Sequence, residues 1–189
     1  MEVSEIYTKL STHMIKGIMI HDQMANYYDF LGLEGYKRCH EYHMFKEMCN
    51  YRSLNRYFIN HHNMLIPEEQ FENPDVIPES WYKYERQDVD ASTKKNAVMS
   101  GLDKWVDWER DTKELYEDMY KELCEIGEVA SAMKVKEFIE DVDCELKKAE
   151  RYQLNKKAIN YDIVSIIEEQ KRKHNKYKKK MEKIGISIC

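Results

Sequence analysis

The chain has 189 residues, which at roughly 100–200 residues per domain points to a single domain. Its 30 Lys+Arg against 35 Asp+Glu leave a formal charge of -5, which excludes a strongly basic nucleic-acid binder. With 6 Gly and 3 Pro it lacks the turn residues that an all-β fold needs every ~10 residues.

The positions Leu10, Met14, Ile18, His21, Ala25, Tyr28 and Leu31 fall on one face at about 100° per residue, the period of a helix. Gly32 and Gly35 then break the pattern, as in a short helix–helix turn. A second stripe runs through Tyr36, His40, His43, Glu47, Tyr51, Leu54, Phe58 and His61, and ends near Asn63 and Pro67.

Residues 66–92 hold all three prolines and no helical stripe. Eight carboxylates there face only Lys83 and Arg86. A segment this long without structure of its own is uncommon inside a compact domain. Its apolar residues Phe71, Ile77, Trp81, Tyr82 and Tyr84 are expected to pack along the helices. Ser92 or Thr93 is expected to cap a third helix, whose stripe of Val98, Leu102, Trp105, Glu109, Thr112, Tyr116, Tyr120 and Leu123 ends at Gly127.

A fourth stripe carries Val135, Phe138, Val142, Glu145, Ala149 and Tyr152, and a fifth carries Ile159, Ile163, Ile166, Gln170, Tyr177, Met181 and Ile184. Short, long and short connections between the first four helices predict a bundle with one long crossover between its second and third helices. The expected organisation is one all-α domain over 1–189. Its core bundle covers about 4–155, the crossover 66–92, and an extra C-terminal helix about 158–184.

Five cysteines with no C-x-x-C pair fit reduced thiols in the cytoplasm better than a disulfide framework or zinc ribbon. No signal peptide and no membrane-spanning run are expected. The lysine-rich stretch Lys171 to Lys183 is expected to be a solvated face or to pair with the acidic crossover, without nucleic acid or membrane as partner.

Chemistry is concentrated where polar residues interrupt apolar stripes. Glu47, Glu109 and Glu145 each sit in the middle of a different one. Burying an isolated carboxylate costs several kcal/mol, so each needs a proton, a cation or a partner. Either a metal ion or the ammonium of Lys148, one turn after Glu145, would answer that need. His40, His43 and Glu47 lie at i, i+3 and i+7 on one face, which adds His43 to the candidate ligands. His21 is expected to pack in the core and hydrogen-bond a tyrosine or carboxylate. His61 and His62 are expected to cap the second helix.

The stretch from Met24 to Gly35, Met-Ala-Asn-Tyr-Tyr-Asp-Phe-Leu-Gly-Leu-Glu-Gly, resembles the first-helix end and hairpin of bacterial-type ferritins. The resemblance continues through Glu47-Met48, Tyr57-Phe58, Trp108-Glu109-Arg110, Phe138-Ile139 and Cys144-Glu145, over about residues 5–155. It implies the single-crossover bundle, a homo-oligomeric shell, and uptake, oxidation and storage of ferrous iron.

Carried over by position, three of that family's di-iron ligands fall on Glu47, Glu109 and Glu145. Its first-helix Glu falls on Met14, its second-helix His on Asn50, and its last carboxylate on Lys148. The expectation is therefore iron at one site at most, held by Glu47, Glu109, Glu145 and His43, with ferroxidase activity weak or absent. The alternative is a non-catalytic interaction or assembly protein that keeps only the fold.

Overall fold

The computed structural model of the chain describes residues 1–67, 69–71, 74, 77, 85 and 88–184. Five helices account for most of them: α1 (Val3–Phe30), α2 (Glu34–His62), α3 (Ala91–Glu125), α4 (Val129–Ala158) and α5 (Ile163–Lys183). None is long and apolar enough to cross a membrane, and the described residues contain no β-strand.

Local chemistry sets the boundaries. α1 ends at Gly32, φ +67°, where the Leu33 amide donates to the Tyr28 carbonyl at 2.9 Å and the Gly32 amide to the Asp29 carbonyl at 3.0 Å. This is the paired C-terminal cap that favours glycine in the left-handed region. Gly127, φ +82°, closes α3 the same way, with the Glu128 amide donating to Leu123 at 2.8 Å.

Three expected boundaries are corrected. Asp90, not Ser92 or Thr93, caps α3, accepting from the Thr93 amide at 2.7 Å. The fifth helix starts at Ile163 because Asn160 and Tyr161 both take positive φ, and Asp162 then accepts from the Ser165 amide at 2.8 Å. Gly35 does not break a helix but lies inside α2. An added Cβ there would stand 1.9 Å from the Gln170 backbone oxygen, so this glycine lets the α5 backbone close against α2. Gly35→Ala should cost about 3 kcal/mol and release α5, read as a lower urea midpoint with new proteolytic cleavage within 163–183. Unchanged stability would show that α5 adjusts freely.

Side-chain pairings give the topology. Gly17 meets Trp108 and Gly101 meets Tyr28, so α1 and α3 are antiparallel. Lys46 bonds Asp141 and Glu145 while His62 meets Ser131, so α2 and α4 are antiparallel too. The short α1–α2 and α3–α4 turns make antiparallel neighbours, which leaves α2 and α3 parallel and joined by the long crossover. α5 folds back along α2, Gln170 against Gly35 and Lys180 over Tyr42.

Of the crossover's apolar residues, Ile77 packs against the core and Phe71 lies under the Lys16 ammonium at 5.6 Å. Trp81, Tyr82 and Tyr84 fall outside the described residues. On α5, Lys173 is buried, paired with Glu169 and set over Tyr36 and Tyr152. Part of the lysine-rich stretch is thus interior rather than a solvated face.

The apolar interior is split in two. One cluster, built around Tyr28, Tyr36, Leu102 and Tyr177, occupies the end where α5 docks. The other, around Leu10, Met14, Phe58 and Val135, fills the opposite end. Between them lies a polar tier.

Candidate metal centre and its ion pairs

The two glycine turns set which residues share that tier. His21 and His43 are each eleven residues from Gly32, and Glu109 and Glu145 are each eighteen from Gly127. Antiparallel helices bring such equidistant residues level. Gly17 makes room at this height, since a Cβ there would approach Trp108 at 3.1 Å and the Glu47 Cγ at 3.4 Å.

The three carboxyl groups meet different fates. Glu109 is 4% exposed, and the Trp105 indole N–H donates to its Oε1 at 2.8 Å. Burial, reinforced by Glu47 and Glu145 and opposed by that hydrogen bond, pushes its pKa up to about 8. Burial likewise raises Glu47 to about 7, with Lys46 opposing and Asp141 and Glu145 adding to the shift.

Glu145 behaves oppositely. Burial alone would raise it, but Lys148 and Lys46 outweigh burial and hold it below the usual carboxylate range. Lys148 donates to Oε2 at 2.7 Å, and Lys46 to Oε1 at 3.1 Å and to Asp141 at 2.8 Å. Burial would lower the Lys46 pKa, yet Glu145 and Asp141 raise it. Glu145 is thus an ionised carboxylate between two ammonium groups.

The histidines form the other half of the tier. His21 Nδ1 lies 3.0 Å from His40 Nδ1, correcting the expected tyrosine or carboxylate partner. Burial drives His21 down to about 3 and holds His40 and His43 well below 6.5, so all three are neutral at pH 7. His43 Nε2 lies 3.1 Å from Lys148 Nζ. An ammonium has no lone pair, so His43 accepts there and carries its own proton on Nδ1. His13, absent from every stripe, stacks on Trp108 with centroids 4.3 Å apart.

One ligand atom each from His21, His43 and Glu109 lies within 4.8 Å of the other two. Glu47 and Glu145 do not join that group. A second group, His61, His62 and Glu128, sits at the far end of the bundle with His61 exposed. His61 and His62 lie in the last turn of α2, as expected, with Asn63, φ 52°, as the residue that ends the helix, and His62 faces the Ser131 hydroxyl at 3.3 Å.

Sequence reading missed His21 as a group member and Lys46 as a partner of Glu145. The equal spacing about Gly32 would have found the first. The second needed the register of α2 on α4, which no turn fixes.

No protein-family model matches the chain, and no curated protein matches it. Solved structures do. An engineered closed form of the Archaeoglobus fulgidus ferritin superposes with a TM-score of 0.76 at 12% identity, over 92% of this chain and 96% of that one. The open-pore ferritin of the same hyperthermophilic archaeon gives 0.75 at 12% identity, over 90% and 94%. A humanized archaeal ferritin gives 0.75 at 14% identity, over 90% and 94%. The fold is ferritin-like. At such low identity the likeness extends to the fold alone, and the chemistry of this ferritin-like bundle rests on its own side chains.

At three positions where the sequence resemblance expects ligands, the bundle presents other chemistry. Met14 is fully buried in the apolar cluster at the end away from α5. Asn50 lines a surface hollow with Ser53 and Asp141. Lys148 points its ammonium at Glu145 and His43.

Proposed function

We propose that the protein is a ferritin-like metal-binding subunit that assembles with copies of itself in the cytoplasm. It takes up iron at one site per subunit and has lost oxidation at a two-iron centre. The chain acts as one domain over 1–189, with Glu47, Glu109, Glu145 and His43 around the mid-bundle site. The observation that carries this reading is the Lys148 ammonium, 2.7 Å from Glu145 and 3.1 Å from His43.

Two cations need bridging carboxylates and about three further donors each. The donor set does not fit that pair. A thioether at Met14 is too soft for ferrous iron, an amide at Asn50 is a weak donor, and an ammonium repels a dication strongly at short range. Three buried neutral imidazoles remain, and neutral imidazole is the ligating form.

A second reading is favoured by the ion pairs themselves. Glu145 is neutralised by Lys46 and Lys148 without any metal, as a scaffold serving assembly alone would require. Anaerobic Fe(II) loading followed by desalting and metal analysis separates the two. Up to one iron retained per subunit is expected, and no retained metal would leave the scaffold.

Stopped-flow mixing with oxygen should show oxidation no faster than buffer. Rapid, saturable oxidation abolished by Glu47→Ala would overturn the loss of the two-iron centre. Met14→Glu, Asn50→His and Lys148→Glu together should raise the retained metal toward two per subunit, even with activity still low, because the groups that orient ligands are not restored with them.

A further inference from the structure

We propose that His21, His43 and Glu109 are the ligands of this single site, a mononuclear centre for a borderline divalent cation, and that Lys148 is a built-in competitor which the metal displaces. The ligand set rests on the metal-binding function proposed above and deepens it.

The three residues come from α1, α2 and α3 and are 1%, 2% and 4% exposed, with one ligand atom of each within 4.8 Å of the others. Two imidazoles and a carboxylate suit Fe(II), Co(II) or Zn(II), whereas calcium and magnesium prefer all-oxygen shells. The placement of free lone pairs is the second, independent observation. His21 commits Nδ1 to His40 and leaves Nε2 buried with no hydrogen-bond partner.

A metal on His21 Nε2 requires the proton on Nδ1, where His40 is positioned to accept it. Glu109 is likewise oriented by Trp105 through Oε1, which leaves Oε2 for a cation. Ligating residues steered by such outer partners are the common arrangement of protein metal sites.

His43 explains the competitor. With its proton on Nδ1, its ligating lone pair is on Nε2, and the Lys148 ammonium already sits on it at 3.1 Å. A divalent cation must take that lone pair and push the ammonium away. Lys148 has somewhere to go. Its side chain is 21% exposed, and it keeps Glu145 as an anchor.

The test is calorimetric titration of chelator-treated full-length protein with Co(II), followed by the cobalt absorption spectrum. One equivalent per subunit is expected. His21→Ala and His43→Gln should each weaken binding at least about tenfold, while Glu128→Gln, in the histidine group at the far end of the bundle, changes it less than about threefold. Lys148→Met should tighten binding about tenfold or more, because the repelling charge is gone.

Binding that survives both histidine variants but vanishes with Glu47→Gln or Glu145→Gln would overturn this ligand set and leave the metal-binding function standing. Absence of binding by both the unmodified protein and Lys148→Met would overturn that function as well. Should a histidine variant not fold, the imidazole proton resonances of the unmodified protein decide. Co(II) should shift those of His21 and His43 strongly, and binding that leaves them unmoved would refute the site.

Discussion

Replacing Lys46 and Lys148 together by methionine should destabilise the metal-free protein by about 3–5 kcal/mol at pH 7. The two ammonium groups hold Glu145 ionised, at 3.1 Å and 2.7 Å, beside two further carboxyl groups that burial pushes up to about 7 and about 8. Without them Glu145 must either remain as an uncompensated charge or bind a proton, and both are costly.

Lys148→Met alone should cost only about 1–2 kcal/mol, since Lys46 still neutralises Glu145 through a charge-assisted bond. The single cost falls short of the double because the lysines share one anion, so the pair should be non-additive. Adding Glu145→Leu to the double variant should recover most of the loss, as when a buried ion pair is exchanged for apolar residues. Urea unfolding in the presence of chelator measures all four proteins. A double variant within about 1 kcal/mol of the parent would mean that water, not the ammonium groups, solvates Glu145.

What the sequence made legible follows the reach of its signals. Helix number, the two glycine turns and the parallel placement of α2 and α3 came from periodicity and loop length, both local along the chain. Gly35 was misread because a glycine near a turn resembles a breaker. Its purpose, contact with the Gln170 backbone, depends on an element 135 residues away.

The site divides along the same line. Glu47, Glu109 and Glu145 stood out because each breaks an apolar stripe, and Lys148 because it lies one turn from Glu145. Lys46 did not stand out, because its partner is on another helix and the register of α2 on α4 is set by side-chain packing. His21 looked like one more interior position. Only the pairing of α1 with α2 shows that it faces His40 and His43.

Glu109→Gln should stabilise the metal-free protein progressively above about pH 5, by about 3 kcal/mol near pH 7 and about 5 kcal/mol near pH 9. The folded pKa of Glu109 is raised from 4.5 to about 8, so the folded chain holds its proton where the unfolded chain has released it. That contribution is complete below about 4.5 and is lost as pH rises through 8. Glutamine is neutral at every pH and still offers an oxygen to the Trp105 N–H, so it removes the titration without stranding the donor.

The histidines act on the other side. Burial depresses His21, His40 and His43, so their stabilisation is present above about 6.5 and lost as pH falls. Both proteins share that acid limb, and the difference between them isolates Glu109. Urea unfolding at pH 5, 7 and 9 in the presence of chelator should give curves that converge at pH 5 and diverge toward pH 9. Parallel curves would show that Glu109 is already ionised at pH 7, and the polar tier would then need a further cation to balance it.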